Sequence, residues 1–264
     1  MINIESKEIN SYLGNRNIKI INEKFKGKDL INEEEIAFQV DLIVRFHKLI
    51  GEYKENLIPR IGSNIGKDLE YYKFQLKRLK ADLEYRKTKQ EKNLLDLNII
   101  SNGNELLNKG EKAINHILRN NYKKLIQRSM TNYEVCLGKV DDSNLRYTVS
   151  IEDGIEINTI KYLSYNLKEH DLYNYIKRLK KKDIPIEANK IIEYYVDSLG
   201  LSIDSMEYLK GFIYYPNESL RIWDKYILNK KELSFDKYLN DFKKGQIIDN
   251  IYIDEIIGGD FGDK

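Results

Sequence analysis

Apolar residues recur at helical spacing along most of this chain and alternate only in short stretches. Residues Asn17 to Phe25 read as a short strand that ends at a turn marked by Gly27. Asn32 followed by Glu33, Glu34 and Glu35 is a helix start, because Asn caps and first-turn acids suit the helix dipole. Ile36, Val40, Ile43, Val44 and Leu49, with Phe46 beside them, keep helical spacing to about Tyr53. The Gly62-Ser63-Asn64-Ile65-Gly66 stretch is a break. A long polar helix is predicted from Lys67 to Thr88, with Leu69, Tyr72, Leu76, Leu79 and Leu83 on one stripe and charge elsewhere. Helices are also predicted over 104–120 and from Tyr122 to Gln127.

The period then changes. Tyr133–Val140, Leu145–Ile151 and Ile155–Ile160 read as three short strands, with Asp141-Asp142-Ser143-Asn144 and Asp153-Gly154 as the turns between them. From Lys168 the helical period returns, over about 169–182, 186–199, 203–214, 217–229 and 234–248. Pro185 and Pro216 stand where helix starts are expected. The acidic, glycine-rich end, 251–264, reads as a flexible tail. The order of strand, helices, small β insert (about 132–162) and helical bundle gives a mostly helical α+β protein with no internal repeat.

The 264 residues allow one large or two small domains and a sizeable core. Lys and Arg (44) nearly balance Asp and Glu (42), for a net charge of +2. That balance argues against a dedicated nucleic-acid binder, which shows a strongly basic face. The single cysteine, Cys136, rules out an internal disulfide and a cysteine-ligated zinc site. The N-terminus has no signal-peptide pattern, and no apolar run reaches the ~18–20 residues of a membrane span. The expected location is therefore the cytoplasm. The 20 tyrosines accompany abundant Ile, Asn and Lys, a combination that fits AT-rich coding.

Few residues offer chemistry. His47, His116 and His170 are not at metal-ligand spacing from one another. His47 and His116 read as structural, and His170 as a residue at a helix start. There is no nucleophile elbow, P-loop or Gly-x-Gly-x-x-Gly. Cys136 sits in an apolar strand without a base beside it and reads as a small hydrophobe. The basic run Lys177-Arg178-Leu179-Lys180-Lys181-Lys182 falls in the last turns of a helix, where cations suit the dipole.

Five segments in order carry a resemblance. They are Glu23-Lys24-Phe25-Lys26-Gly27-Lys28; Val44-Arg45-Phe46-His47-Lys48; Ile65-Gly66-Lys67; His170-Asp171-Leu172-Tyr173-Asn174-Tyr175-Ile176-Lys177-Arg178; and Tyr214-Tyr215-Pro216-Asn217-Glu218-Ser219-Leu220-Arg221-Ile222-Trp223. Together they resemble the hinge and helix motifs of the spore-coat (CotS-type) kinase-like family, a branch of the aminoglycoside-phosphotransferase-like fold. The resemblance implies a protein-kinase-like C-lobe over residues 31–250, with 1–30 as a remnant of the N-lobe and hinge. In that family a His-Gly-Asp-x-x-x-x-Asn loop supplies the catalytic base and a metal-ligand Asn, and a later Asp holds magnesium. Phosphoryl transfer needs these groups to orient the acceptor and offset charge.

Anchored at Thr131, the loop's His, base and Asn positions fall on Asn132, Glu134 and Lys139, and the magnesium aspartate falls at about Thr159. A threonine hydroxyl does not replace an anionic magnesium ligand. The resemblance gives Asp171, Arg178 and His170 structural roles. Too few residues precede the hinge for a glycine loop and phosphate-pairing Lys. The expectation is a catalytically inactive, kinase-like protein of a spore coat or of sporulation, made in the mother-cell cytoplasm and assembled onto the coat. It would need no cofactor, and its partners would be other coat proteins. Two alternatives stand beside it. One is an active small-molecule or sugar phosphotransferase using ATP and Mg²⁺ at a rearranged site. The other is a regulatory subunit that docks on a full-length kinase homologue through Ile18, Ile20 and Phe25.

Overall fold

The computed structural model describes residues 4–21, 23, 25–27, 31–53, 60–148, 154–228 and 234–257. The predicted helices are present, with adjusted ends. α1 (Ile4–Gly14) and strand β1 (Ile18–Ile20) precede α2 (Glu33–Ile50). Asn32 caps α2 as its sequence suggests: its side chain accepts from Glu35 N, and Glu35 accepts from Asn32 N in return. The buried stripe of α2 runs through Ile36, Val40, Ile43, Phe46 and His47.

After the two-residue strand β2 (Gly62–Ser63), α3 (Lys67–Thr88) pairs with α4 (Leu94–Arg119). α4 begins ten residues before its predicted start. Within this added stretch Ser101 and Asn102 bond back to Asn98 O, and Gly103 lets Leu83 pack close. Gly103 faces Leu83 and Gly110 faces Leu76, so the two helices run antiparallel at close range. α5 is Tyr122–Thr131.

The β insert is smaller than predicted. β3 (Val135–Cys136), β4 (Leu145–Tyr147), β5 (Ile155–Ile157) and β6 (Ser164–Tyr165) join β1 and β2 in two three-stranded sheets, ordered β1-β5-β4 and β2-β6-β3. β1 joins β5 in parallel, with Ile18 opposite Ile155, while β4 pairs with β5 antiparallel, Leu145 opposite Ile157. β6 has no counterpart in the sequence reading, because two residues are too few to show a period. The predicted strand Tyr133–Val140 stops at Cys136, for a reason given below. The predicted residues 149–151 of the next strand lie outside the described residues, as do Lys24 and Lys28 of the hinge segment.

The second half is helical: α6 (Glu169–Lys181), α7 (Ala188–Ser198), α8 (Ile203–Tyr214), α9 (Asn217–Ile227), α10 (Phe235–Asn250) and α11 (Ile253–Ile257). α6 packs on α8, α8 on α4, and α10 on α9. Trp223 is buried, and its indole N–H donates to Asp82 at 3.0 Å. Two further elements go beyond the sequence expectations. α1 lies where only a lobe remnant is expected, and it buries Ile9, Tyr12 and Leu13. In the region read as a flexible tail, α11 inserts Ile253 and Ile256 into the core, and Asn189 N donates to Glu255; 258–264 lie outside the described residues. Among the described residues no helix is long and apolar enough to cross a membrane.

Candidate functional site

The loop between β3 and β4 is held from the first turn of α6. The two carboxylate oxygens of Asp171 accept from the backbone N–H of Leu137 and of Gly138, each at 2.8 Å. The bond to Gly138 takes the next donor on the side of β6, so the pairing of β3 ends at Cys136. Gly138 has φ +77°, and a Cβ there would meet Tyr162 O and Cβ at 2.8 Å, so only glycine fits. Behind Asp171, His47 Nε2 stands 3.3 Å from Oδ2, with neither side chain exposed to solvent.

The remainder of the loop closes on itself through Asn144, which is fully buried. Its amide donates to Lys139 O (2.6 Å) and Thr159 O (3.2 Å), and its oxygen accepts from Thr159 N (2.7 Å). Asp141 accepts from Ser143 N and meets Arg178 Nη1 at 2.9 Å. Gln39 of α2 donates to Val140 O at 2.6 Å. Asn158 spends its amide on the carbonyls of Ile21 and Glu23. Thus Lys139 and Thr159, predicted to lie in one loop site, do meet around Asn144, a residue that the sequence reading assigned only to a turn.

Asn132 and Glu134 lie elsewhere. Asn132 is the C-cap of α5. Glu134 is buried, and both its oxygens accept from Arg128 (2.9 and 3.0 Å). The same guanidinium donates to both oxygens of Glu169 (2.9 and 2.8 Å) and to Ser205 Oγ. Burial alone would raise the Glu169 carboxyl, but the facing Arg128 outweighs it and holds the group below its ordinary value. Glu134 is therefore one arm of a buried ion-pair network that ties α5, β3, α6 and α8 together, and its carboxylate is shut off from solvent. Cys136 is buried as expected. Its Sγ donates to Leu167 O, and burial pushes its thiol up, away from the reactive thiolate.

His170 pairs with Asp68 at 3.0 Å and packs its ring on Tyr173 and Phe212, joining α6 to α3 and α8. The residues expected at a docking edge are mostly inside. Ile18 and Phe25 are buried, Ile20 is half-buried, and the Arg146 guanidinium covers the Phe25 ring at 4.0 Å. Beyond Phe25, a cavity of about 450 Å³ opens between α2, β4 and α6, bounded by Phe38, Leu42, Tyr175 and Arg178.

No protein-family model and no curated protein sequence matches the chain. Among solved structures, it is similar to an aminoglycoside phosphotransferase from Alicyclobacillus acidocaldarius subsp. acidocaldarius DSM 446, with a TM-score of 0.63 and 11% sequence identity. The likeness covers 84% of this chain and 65% of that one, so the chain spans just under two thirds of its length. At this identity the likeness shows the fold: a mostly helical α+β chain of the aminoglycoside-phosphotransferase-like kinase type.

Proposed function

We propose that this kinase-fold chain is a non-catalytic scaffold or interaction module, in which the catalytic loop has become a structural element. The reading rests on the register of that loop. The pattern His-Gly-Asp-x-x-x-x-Asn, which the sequence alone places from Asn132, fits the geometry better five residues later. There Leu137, Gly138 and Lys139 take the first three positions and Asn144 the last. Gly138 at positive φ and the Asp171 clasp on Leu137 and Gly138 support the shift.

In this register an ammonium side chain, Lys139, replaces the base. The single observation that carries the proposal is the Asn144 amide, whose two ends are both committed to the backbone of Lys139 and Thr159. Its oxygen accepts the Thr159 N–H at 2.7 Å. The later aspartate position falls on Asn158 or Thr159, and neither is anionic. Phosphoryl transfer depends on cations that offset phosphate charge, so a loop lacking these ligands has little to work with.

The finer placement, a coat or sporulation protein made in the mother cell of an endospore former, rests on the five motif segments. Coat proteins are the partners it implies. Docking on a kinase homologue through Ile18 and Phe25 is not favoured, since both side chains are buried. The rival reading is an active phosphotransferase for a sugar or other small molecule, and the fold likeness alone would suit it. Incubation with γ-labelled ATP, Mg²⁺ and a panel of sugar and aminoglycoside acceptors separates the two. The proposal expects no Mg²⁺-dependent transfer above the protein-free blank. Transfer that survives repurification and disappears in Lys139→Ala would overturn it.

A further inference from the structure

The chain as a whole is almost neutral, yet one region of the helical half is strongly basic. The groove between α9 and α10 encloses about 340 Å³ and is lined by Arg221 and Lys225 from α9 and by Lys237 and Lys244 from α10. A smaller cavity sharing Glu218 and Ile248 as a common wall adds Lys177 and Lys180 from α6. Three carboxylates face these six cations: Glu218, Asp241 and Asp249. Two of the three are already engaged. Glu218 is shared between Lys181 (2.8 Å) and Arg221 (2.7 Å), while Asp249 accepts from Glu218 N and Ser219 N (2.9 and 2.8 Å) at the start of α9.

In the smaller cavity, burial and then the like charges of Lys181 and Arg221 lower Lys177, and burial pushes Lys180 down to about 8. An anion in the adjoining groove would lie close to this positive wall.

We propose that the α9–α10 groove binds a small, multiply charged phosphoryl anion. Three features set the class. The volume lies within the small-molecule range, which begins at roughly 300 Å³, and the groove is concave rather than a flat face. The one guanidinium fork in the lining, that of Arg221, is turned onto Glu218, so the donors that Lys237 and Lys244 bring from α10 are ammonium point charges. Such donors, spread around a concavity, suit a tetrahedral oxyanion approached from several sides; a planar carboxylate is best met by a guanidinium fork. The floor is rigid as well: at Gly245 an added Cβ would meet Ile222 Cδ1 at 2.8 Å, so α9 and α10 approach closely there.

The test is titration calorimetry with sodium pyrophosphate at low ionic strength, using the full chain. Saturable binding with one site is expected, several-fold tighter than that of inorganic phosphate. Lys237→Glu with Lys244→Glu should weaken it at least tenfold. Lys77→Glu with Lys80→Glu, on the exposed face of α3, should leave it nearly unchanged. Circular dichroism and the melting temperature establish that each variant is folded. No saturation, or equal weakening by the α3 pair, would overturn the site. Citrate binding as tightly as pyrophosphate would overturn the phosphoryl assignment.

Discussion

The imidazole of His47 faces the carboxylate of Asp171 across 3.3 Å in a position closed to solvent. The sequence treats these residues separately, one as a core histidine of α2 and the other as part of a helix motif. The fold brings them together behind the β3–β4 loop, where Asp171 also holds two backbone N–H groups. Asp171→Ala would leave the buried Leu137 N–H and the half-buried Gly138 N–H unpaired. At about 1–3 kcal/mol for a buried donor and less for a half-buried one, we expect a total loss of about 2–4 kcal/mol in urea unfolding, and a smaller loss for Asp171→Asn, whose side-chain oxygen still accepts one bond.

Gly138→Ala tests the loop itself. A non-glycine residue at this positive φ costs about 1–3 kcal/mol, and the Tyr162 backbone 2.8 Å from the new Cβ leaves little room to relax. The expected result is a lower denaturant midpoint with an unchanged m-value, since only local strain is added.

Arg128→Met should be among the most damaging substitutions in the chain. It leaves Glu134 and Glu169 buried without their partner, a loss of about 3–5 kcal/mol at pH 7. In the native protein the Glu169 carboxyl is held below its ordinary 4.5, so its contribution is present above that pH and is lost as pH falls through the lowered folded value. In Arg128→Met the uncompensated Glu169 carboxyl, left with burial as its main influence, is expected to titrate above its unfolded value. The variant should then lose less stability at pH 4 than at pH 7. Urea melts of both proteins at the two pH values measure the difference.

Lys180 gives the opposite dependence. Its ammonium is buried, donates to Ile213 O at 3.1 Å, and has its pKa pushed down from 10.5 to about 8. Between those values the unfolded chain holds a proton that the folded chain has released, so this group adds stability as pH rises from about 8. Lys180→Met should remove that rise and be as stable as the native protein, or more so, at pH 7. Chemical melts at pH 7 and pH 9 would show the change in slope.

Helices were legible in the sequence where a stripe and a cap coincide. α2, with Asn32 and Glu35, and α3, with its five-residue apolar stripe, have nearly their predicted bounds. α4 was not fully legible, because Gly103 within it is held by tertiary packing against Leu83. β3 is short because Asp171, 33 residues along the chain, takes the Gly138 donor that would have extended its pairing. In the proposed reading that contact also sets the loop register. Thr131 was a local anchor, whereas the governing partner is distant, so Glu134 was placed in a site when it belongs to the Arg128 network. The partnership of Asn144 with Thr159 is equally non-local, and nothing in the turn Asp141-Asp142-Ser143-Asn144 announces it.

Whether the loop around Asn144 can still hold a metal–nucleotide complex is measured most directly by thermal melting of the purified protein in buffer, with ATP alone, and with millimolar Mg-ATP. The predicted result is the same midpoint with Mg-ATP as with ATP alone. A ligand bound only to the folded state at 100 times its Kd adds about 2.7 kcal/mol, a rise of several degrees for a chain of this size. A Mg²⁺-dependent rise of that order, abolished by Asn144→Ala in a variant shown to be folded, would mean that the amide leaves its backbone partners to serve a metal, and would contradict the non-catalytic reading.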